Sequence, residues 1–320
     1  MTGILESLRQ YALKNQKKII FPEQDDARVI SAVNSLAENG YVKPVLLKRP
    51  DAVELHEGVE IFEECSDQAS WRQRAVEIFI QLRAKKGITE RDAVLAMKSP
   101  LLFSAVLLRL GYVDGAVSGS IATTADVLRA GIQGVGMAAG SKLVSSIFLM
   151  ELPDGRVCSF GDCAVNPEPD ASVLAEIAVT SAKNHQRLTG DTPRVALLSF
   201  SSRGSAEHAR VEKVRAALQA AKNIDPSLLV DGELQFDSAF VPEIGRRKAP
   251  DSPVSGQANV FIFPDLDAGN IGYKIAERIG GAKALGPILQ GLENPWMDLS
   301  RGCSIDDIRD MAIIASVMSG

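Results

Sequence analysis

VALLSFSSRGSAEHARVEKVRAAL, residues 195 to 218, reads as a strand, a turn of small hydroxylated residues and an amphipathic helix in direct succession. Val195 to Phe200 is a short apolar run, and Val211, Val214, Ala217 and Leu218 recur at helical spacing beyond Ser201-Ser202-Arg203-Gly204-Ser205. The same succession returns along the chain. Further candidate strands are Lys18 to Phe21, Pro44 to Leu47, Val113 to Ser118, Val144 to Met150, Val157 to Phe160, Leu228 to Asp231, Val260 to Phe263 and Pro287 to Leu289. Amphipathic stretches lie between them, as Val29, Ile30, Val33 and Leu36 do before Gly40. This alternation predicts an α/β fold with parallel strands flanked by helices. Pro153-Asp154-Gly155 joins two strand-like runs and signals a hairpin, so an antiparallel pair is expected beside the parallel strands. Glycines at 131, 134, 136 and 140 suggest a hinge near Gly140.

A chain of 320 residues, 46% hydrophobic and 23% charged, is long enough for one large or two medium domains with buried cores. The formal net charge of −5 argues against a nucleic-acid partner, which calls for a basic face. Any anionic ligand must then be met by local clusters of cations. No apolar run approaches the roughly 20 residues of a membrane span, and the N-terminal MTGILESLRQYALKNQKK lacks a signal-peptide core. A cytoplasmic protein without a membrane partner is expected. Cys65, Cys158, Cys163 and Cys303 form no CxxC pair and His56, His185 and His208 are scattered, which suggests neither a zinc site nor a disulfide framework. Cys303 stands beside Arg301 at a helix start, a setting that lowers a thiol pKa, but no His is at hand to complete a nucleophilic pair.

Two turns have the composition of anion sites: Ser118-Gly119-Ser120 leading into Thr123-Thr124, and Ser199 through Ser205 with Gly204 among its residues. At a strand-to-helix turn free backbone amides converge, and small hydroxylated residues let an oxyanion approach them. The same residues serve equally well as helix caps, since Thr123 with Asp126 and Thr89 with Asp92 have capping-box spacing. Asp298-Leu299-Ser300-Arg301-Gly302-Cys303-Ser304-Ile305-Asp306-Asp307 places a hydroxyl, a guanidinium and carboxylates at one helix start. Ser304 and Asp307 predict a capped helix from about Ile305 to Val317. Gly134-Val135-Gly136-Met137-Ala138-Ala139 fits GxGxxA but follows a helical pattern, so it is not a dinucleotide fingerprint, and no GxxxxGK[ST] is present. Asp231, Glu233, Asp265 and Asp267 are acidic residues at strand ends, of a kind that suits Mg²⁺.

VDGELQFDSAFVPE (230–243), KAPDSPVSGQANVFIFPDLDAGNIGYKIAER (248–278), GPILQGL (286–292), DLSRGCS (298–304), LLSFSSRGSA (197–206) and SGSIATTADVLRAG (118–131) together resemble the phosphate acetyltransferase (phosphotransacetylase) family, over essentially the whole chain. The resemblance implies two α/β domains with mainly parallel sheets flanked by helices, an isopropylmalate-dehydrogenase-like architecture with the active site in the cleft between the domains. The first would hold residues 1–140 with a returning segment 288–320, and the second residues 141–287 with the contact of a homodimer. The implied reaction exchanges acetyl-CoA and inorganic phosphate with acetyl phosphate and coenzyme A. It needs no permanently bound cofactor and no metal.

By the same resemblance Arg28, Arg83, Arg129 and Arg301 match the family's arginines and would face the phosphates of coenzyme A and of the second substrate. The cluster Arg83-Ala84-Lys85-Lys86 is assigned to the 3′-phosphate, although basic residues also complement a helix end. Ser118, Thr123, Thr124, Ser201, Ser202, Gly204 and Ser205 become substrate-binding candidates. Ser300 and Arg301 correspond to groups that stabilise the developing charge, and Asp307 to the base for the thiol. An ordinary Asp near 3.9 and a thiol near 8.5 differ by about four to five units. Burial of the Asp and a thiolate favoured by Arg301 and the helix N-terminus are the two effects that close this gap, so two versions stand: Asp307 as the true general base, or Asp307 as the group that orients Arg301. Many relatives read SGAxHTTAD, and Ala122 stands where they have His. Butyryl relatives tend to read DGPLALDNA where this chain has Asp231-Gly232-Glu233-Leu234-Gln235-Phe236-Asp237, which favours acetyl over butyryl. A metal-dependent hydroxy-acid dehydrogenase and an inactive acyl-CoA-binding protein are the alternatives of other classes.

Overall fold

The computed structural model describes residues 3–320. Its strands among these residues are β1 (Lys18–Phe21), β2 (Lys43–Leu46), β3 (Glu60–Ile61), β4 (Gly115–Ser118), β5 (Ser145–Glu151), β6 (Val157–Gly161), β7 (Arg194–Leu198), β8 (Leu229–Leu234), β9 (Val260–Ile262), β10 (Lys283–Gln290) and β11 (Trp296–Asp298). The chain divides into two compact units, one of Leu5–Lys142 with Leu292–Gly320 and the other chiefly of Leu143–Gly291.

In the first unit the sheet order is β11-β4-β1-β2-β3, with every pair parallel. Ile19, Ile20, Phe21, Val45, Leu46, Ala116, Val117, Trp296 and Met297 are all buried. Such runs are continuous because helices cover a parallel sheet on both faces. The helices Ala27–Glu38 and Ile305–Met318 pack on one another, and the second also lies on β1 and β4. β3 and β11 are additions to the sequence reading. β11 has only three residues, yet Pro295 O accepts from the Ala116 amide at 3.0 Å and the buried Trp296 indole donates to Val127 O at 2.9 Å. β1, β2 and β3 run outward in chain order while β4 lies on the other flank of β1. The order reverses between β1 and β4, and loops leaving the carboxyl ends of strands at such a point diverge and leave room for a ligand.

The second unit has the order β10-β5-β6-β9-β7-β8. β6, β9, β7 and β8 are parallel, and β5 is antiparallel to both β6 and β10. The β5–β6 hairpin turns at Asp154-Gly155, where Gly155 takes φ +84°, and Leu152 N donates to Arg156 O at 2.8 Å. Residues 288–290, given to the first domain by the sequence reading, instead complete β10, because its pairing with β5 continues to Gln290 opposite Ser145. Alternate residues of β7 serve two cores. Val195 and Leu197 pack with Val214, Ala217 and Leu218 of the helix Ala209–Ile224, while Ala196 and Leu198 pack with Phe148, Phe160 and Phe261.

Candidate active site

Ser118, Thr123, Thr124, Ser300 and Arg301 lie at or just beyond the carboxyl ends of β4 and β11, and Arg28 joins the two turns. Its Nε and Nη2 donate to Asp26 Oδ1 and Oδ2 at 3.1 and 2.7 Å. Nη2 also donates to Ser120 O at 2.9 Å, and Nη1 donates to Arg301 O at 2.9 Å and Cys303 O at 2.8 Å. A guanidinium has five N–H donors, so all of them are spent. Asp26 in turn caps the helix Ala27–Glu38 through the Arg28 amide. Burial would raise the Asp26 carboxyl, but the Arg28 hydrogen bonds prevail and hold it below the usual range. Arg28 is thus a clamp that ties the turn after β4 to the turn after β11.

The turn after β4 does gather amides around an anion, and the anion belongs to the protein. Glu23, 8% exposed just after β1, accepts through Oε2 from the amides of Gly119 and Ser120 at 2.7 and 2.8 Å and from Ser120 Oγ at 3.0 Å. Its Oε1 accepts from the Ile121 and Ala122 amides at 3.0 and 2.7 Å. Position 122 contributes its backbone to this nest, a task that Ala performs as well as His. Ser118 is buried and donates to Met297 O at 3.3 Å, joining β4 to β11. Thr123 caps the following helix, accepting from Asp126 N at 3.2 Å and donating to the Asp126 carboxylate at 2.7 Å. Thr124 is exposed.

After β11, Ser300 and Arg301 are exposed on a turn closed by Cys303 N donating to Ser300 O at 2.9 Å. Ser300 Oγ accepts from Gly302 N at 3.2 Å. Among the described residues the Arg301 guanidinium has no hydrogen-bond or ion-pair partner, so its charge is available. Ser304 and Asp307 form the expected capping box: Ser304 N donates to Asp307 Oδ2 at 2.8 Å and Asp307 N to Ser304 Oγ at 3.1 Å. Asp307 is exposed. Burial pushes the Cys303 thiol up despite Arg28.

Arg83 ends the helix Gln68–Leu82, and Lys85 and Lys86 follow in a short 3₁₀ turn. Arg129 lies exposed in the last turn of the helix Thr124–Ala130, paired with Asp126 at 2.6 Å. Neither shares a hydrogen bond with the Arg28 cluster. Ser201, Ser202, Gly204 and Ser205 belong to the other unit, where their polar groups also meet within the fold. Glu233 accepts from Ser201 Oγ at 2.9 Å and Gly204 N at 2.8 Å, and Arg215 Nε donates to it at 2.9 Å. Ser202 Oγ accepts from Gln235 N at 2.9 Å, and Ser205 Oγ from Ser202 N at 3.0 Å. Arg203, Gly204, Arg215 and Glu233 border an open cavity of about 720 Å³. Among the described residues no three His, Cys, Asp or Glu side chains converge as metal ligands, and Asp231 faces Arg203 at 3.4 Å.

Three residues escaped the sequence reading: Glu23, Asp26 and Asp298. Asp298 opens the segment whose later members were singled out. It is 1% exposed and its Oδ1 has no hydrogen-bond partner. Burial pushes its carboxyl up to about 6, with Thr124 and the Leu299 amide opposing and Glu23 adding to the rise.

As a fold, this is a chain of two α/β units whose parallel strands open onto loops that carry polar side chains. A 4-hydroxythreonine-4-phosphate dehydrogenase from Klebsiella pneumoniae has the same fold at 11% identity and a TM-score of 0.52, over 95% of this chain and 100% of that one. Much greater similarity lies elsewhere. The sequence pattern described as phosphate acetyl/butaryl transferase matches residues 3–316, and the chain belongs to that family. A phosphate acetyltransferase from Thermoanaerobacterium thermosaccharolyticum is 45% identical over 99% of both chains. A phosphate acetyltransferase from Deinococcus radiodurans is 44% identical over 94% of this chain, which spans 43% of that longer protein. A phosphotransacetylase structure from Streptococcus pyogenes is 40% identical, with a TM-score of 0.90 over 99% of this chain and 98% of that one.

Proposed function

We propose that the chain transfers an acetyl group reversibly between coenzyme A and inorganic phosphate, the coenzyme A thiolate attacking acetyl phosphate directly in a ternary complex. The observation that carries this reading is the unpaired, exposed Arg301 beside Ser300, on a turn that Arg28 pins at two carbonyls. A fixed cation aimed at developing negative charge needs no reorganisation during reaction. Direct transfer asks only for orientation, loss of the thiol proton and stabilised charge. Thr124, Ser300 and Arg301 face the substrates in this reading, while Arg83 and Arg129 meet the coenzyme A phosphates. Ser118, Thr123, Ser201, Ser202, Gly204 and Ser205 shape the turns from within.

Asp307 fixes the helix start behind Arg301. Asp307→Asn is expected to lower the rate at every pH with the profile unchanged, whereas a reshaped profile would make it the base of the thiol. The enzyme works as a cytoplasmic homodimer, and the support for the dimer is an apolar face in the second unit. Ile271, Ile275 and Ile279, 57%, 53% and 83% exposed, follow one another at four-residue steps on the helix Leu266–Arg278 and just past it. Light scattering that gives a monomer mass would remove the dimer.

The test is thioester formation from acetyl phosphate and coenzyme A by chelator-treated protein, beside butyryl phosphate. Metal-independent turnover that prefers acetyl supports the reading. No turnover with either acyl phosphate would overturn it.

A further inference from the structure

The peptide unit between Ser120 and Ile121 is held from both sides. Ser120 O and the Ile121 N–H belong to that one trans amide and point in opposite directions. The N–H donates to Glu23 Oε1 at 3.0 Å, and the oxygen accepts from Arg28 Nη2 at 2.9 Å. Arg28 Nη1, on the same guanidinium, donates to the carbonyls of Arg301 and Cys303 at 2.9 and 2.8 Å. A continuous line of hydrogen bonds therefore runs from the Glu23 carboxylate, through one peptide plane and one guanidinium, to the backbone of Arg301. Its origin is firmly seated, since the Gly119, Ser120 and Ala122 amides and the Ser120 hydroxyl also donate to Glu23, at 2.7 to 3.0 Å. Bonds in such a line polarise one another, and a turn of the peptide plane would loosen those on both sides.

We propose that Glu23 is a positioning residue for acyl transfer that acts through Arg301, by fixing the peptide plane on which Arg28 bears. The exposed Arg301 guanidinium has no hydrogen-bond or ion-pair partner among the described residues, so its backbone decides where it points. A slackened turn would spread that guanidinium over more orientations, and fewer of them would face the developing charge. Glu23 itself is 8% exposed and spends both carboxylate oxygens on the nest, so its part is played through the backbone and not at the substrate. The inference rests on the proposed acetyl transfer and adds the residue that sets its geometry from the far side of a peptide bond.

The experiment is kcat per folded molecule for thioester formation, with the KM for coenzyme A, in wild type, Glu23→Gln, Arg301→Ala and the double variant. Gln keeps the shape of Glu23 and turns one acceptor of the nest into a donor. A purely structural loss would reduce the folded fraction and leave kcat per folded molecule alone. Glu23→Gln should instead lower that kcat by roughly tenfold, with the KM changed by less than about twofold, since a misplacement of about 1 Å can cost a hundredfold. In the Arg301→Ala background the same change should cost less than about twofold, because residues that act as a unit are not additive. Ser120→Ala removes only the hydroxyl bond to Glu23 and carries the test should Glu23→Gln fail to fold. It should lower kcat about two- to threefold in wild type and leave Arg301→Ala unchanged. Equal losses in both backgrounds, or an unchanged kcat in the folded Glu23 or Ser120 variant, would overturn the inference alone. A wild-type chain that forms no thioester would overturn the functional reading and this inference with it.

Discussion

The turn at Ser118–Ala122 and the turn at Ser201–Ser205 look alike in sequence and both close on a glutamate, but they hold it differently. Glu23 is gripped by four backbone amides and a serine hydroxyl, with no cation. Glu233 receives one amide, one hydroxyl and the Arg215 guanidinium, at the edge of an open cavity. A loop rich in small residues at the end of a strand does create an anion-binding nest. What the pair teaches is that the anion can be the chain's own carboxylate, and that the nest then becomes a joint of the scaffold. In the first unit that joint sets the backbone around Thr124 and Arg301; in the second it is an ion pair whose carboxylate is buried and whose guanidinium is partly exposed.

The largest effect should come from Glu23→Ala. It leaves four amides without an acceptor inside the fold, and urea unfolding should show a loss on the order of 4 kcal/mol or more. Glu233→Ala should lose less, because the Gly204 amide and the Arg215 guanidinium lie where water can replace the carboxylate, although Ser201 is buried. Equal losses would break the contrast. Gly119→Ala comes next, at about 3 kcal/mol in the same measurement, since φ is +104° and the new methyl would collide with Asp298 and Leu299. Arg28→Lys should cost roughly 2 kcal/mol, because an ammonium cannot make all five of the guanidinium's bonds, three of which join the two turns.

The last expected effect is a dependence on acid. Burial would raise the Glu233 carboxyl, but the Arg215 hydrogen bonds and the Gly204 amide bring it down to about 2 from 4.5. A depressed native pKa means stability that is fully present above about pH 4.5 and lost as the pH falls through about 2. Glu233→Gln should flatten that part of the stability–pH curve, and an unchanged curve would show that Arg215 does not hold the carboxylate.

Local signals made much of this fold legible. Lys18–Phe21 and Val157–Gly161 carry apolar runs, Asp154-Gly155 marks the hairpin, and Ser304 with Asp307 marks the last helix. β3 and β11 escaped because two or three residues give no periodicity, and their pairing is decided by neighbours far away in sequence. The site divides the same way. Arg28, Thr124, Ser300, Arg301 and Asp307 stand in motifs that a resemblance can point to. Glu23 and Asp298 do not show their tasks in the sequence, since a carboxylate meets amides 96 to 99 residues away in one case and loses its water in the other. Arg28 was expected at a phosphate, and only the fold shows its five donors already committed.

The most direct test of the account is the turnover number for thioester formation in Arg301→Ala, with folding verified by its unfolding midpoint. A stably folded variant that loses on the order of a hundredfold or more in kcat, with a smaller change in KM, is the predicted result. A near-normal kcat would contradict the central claim, because the one exposed cation that the clamped turn presents would then have no part in the chemistry.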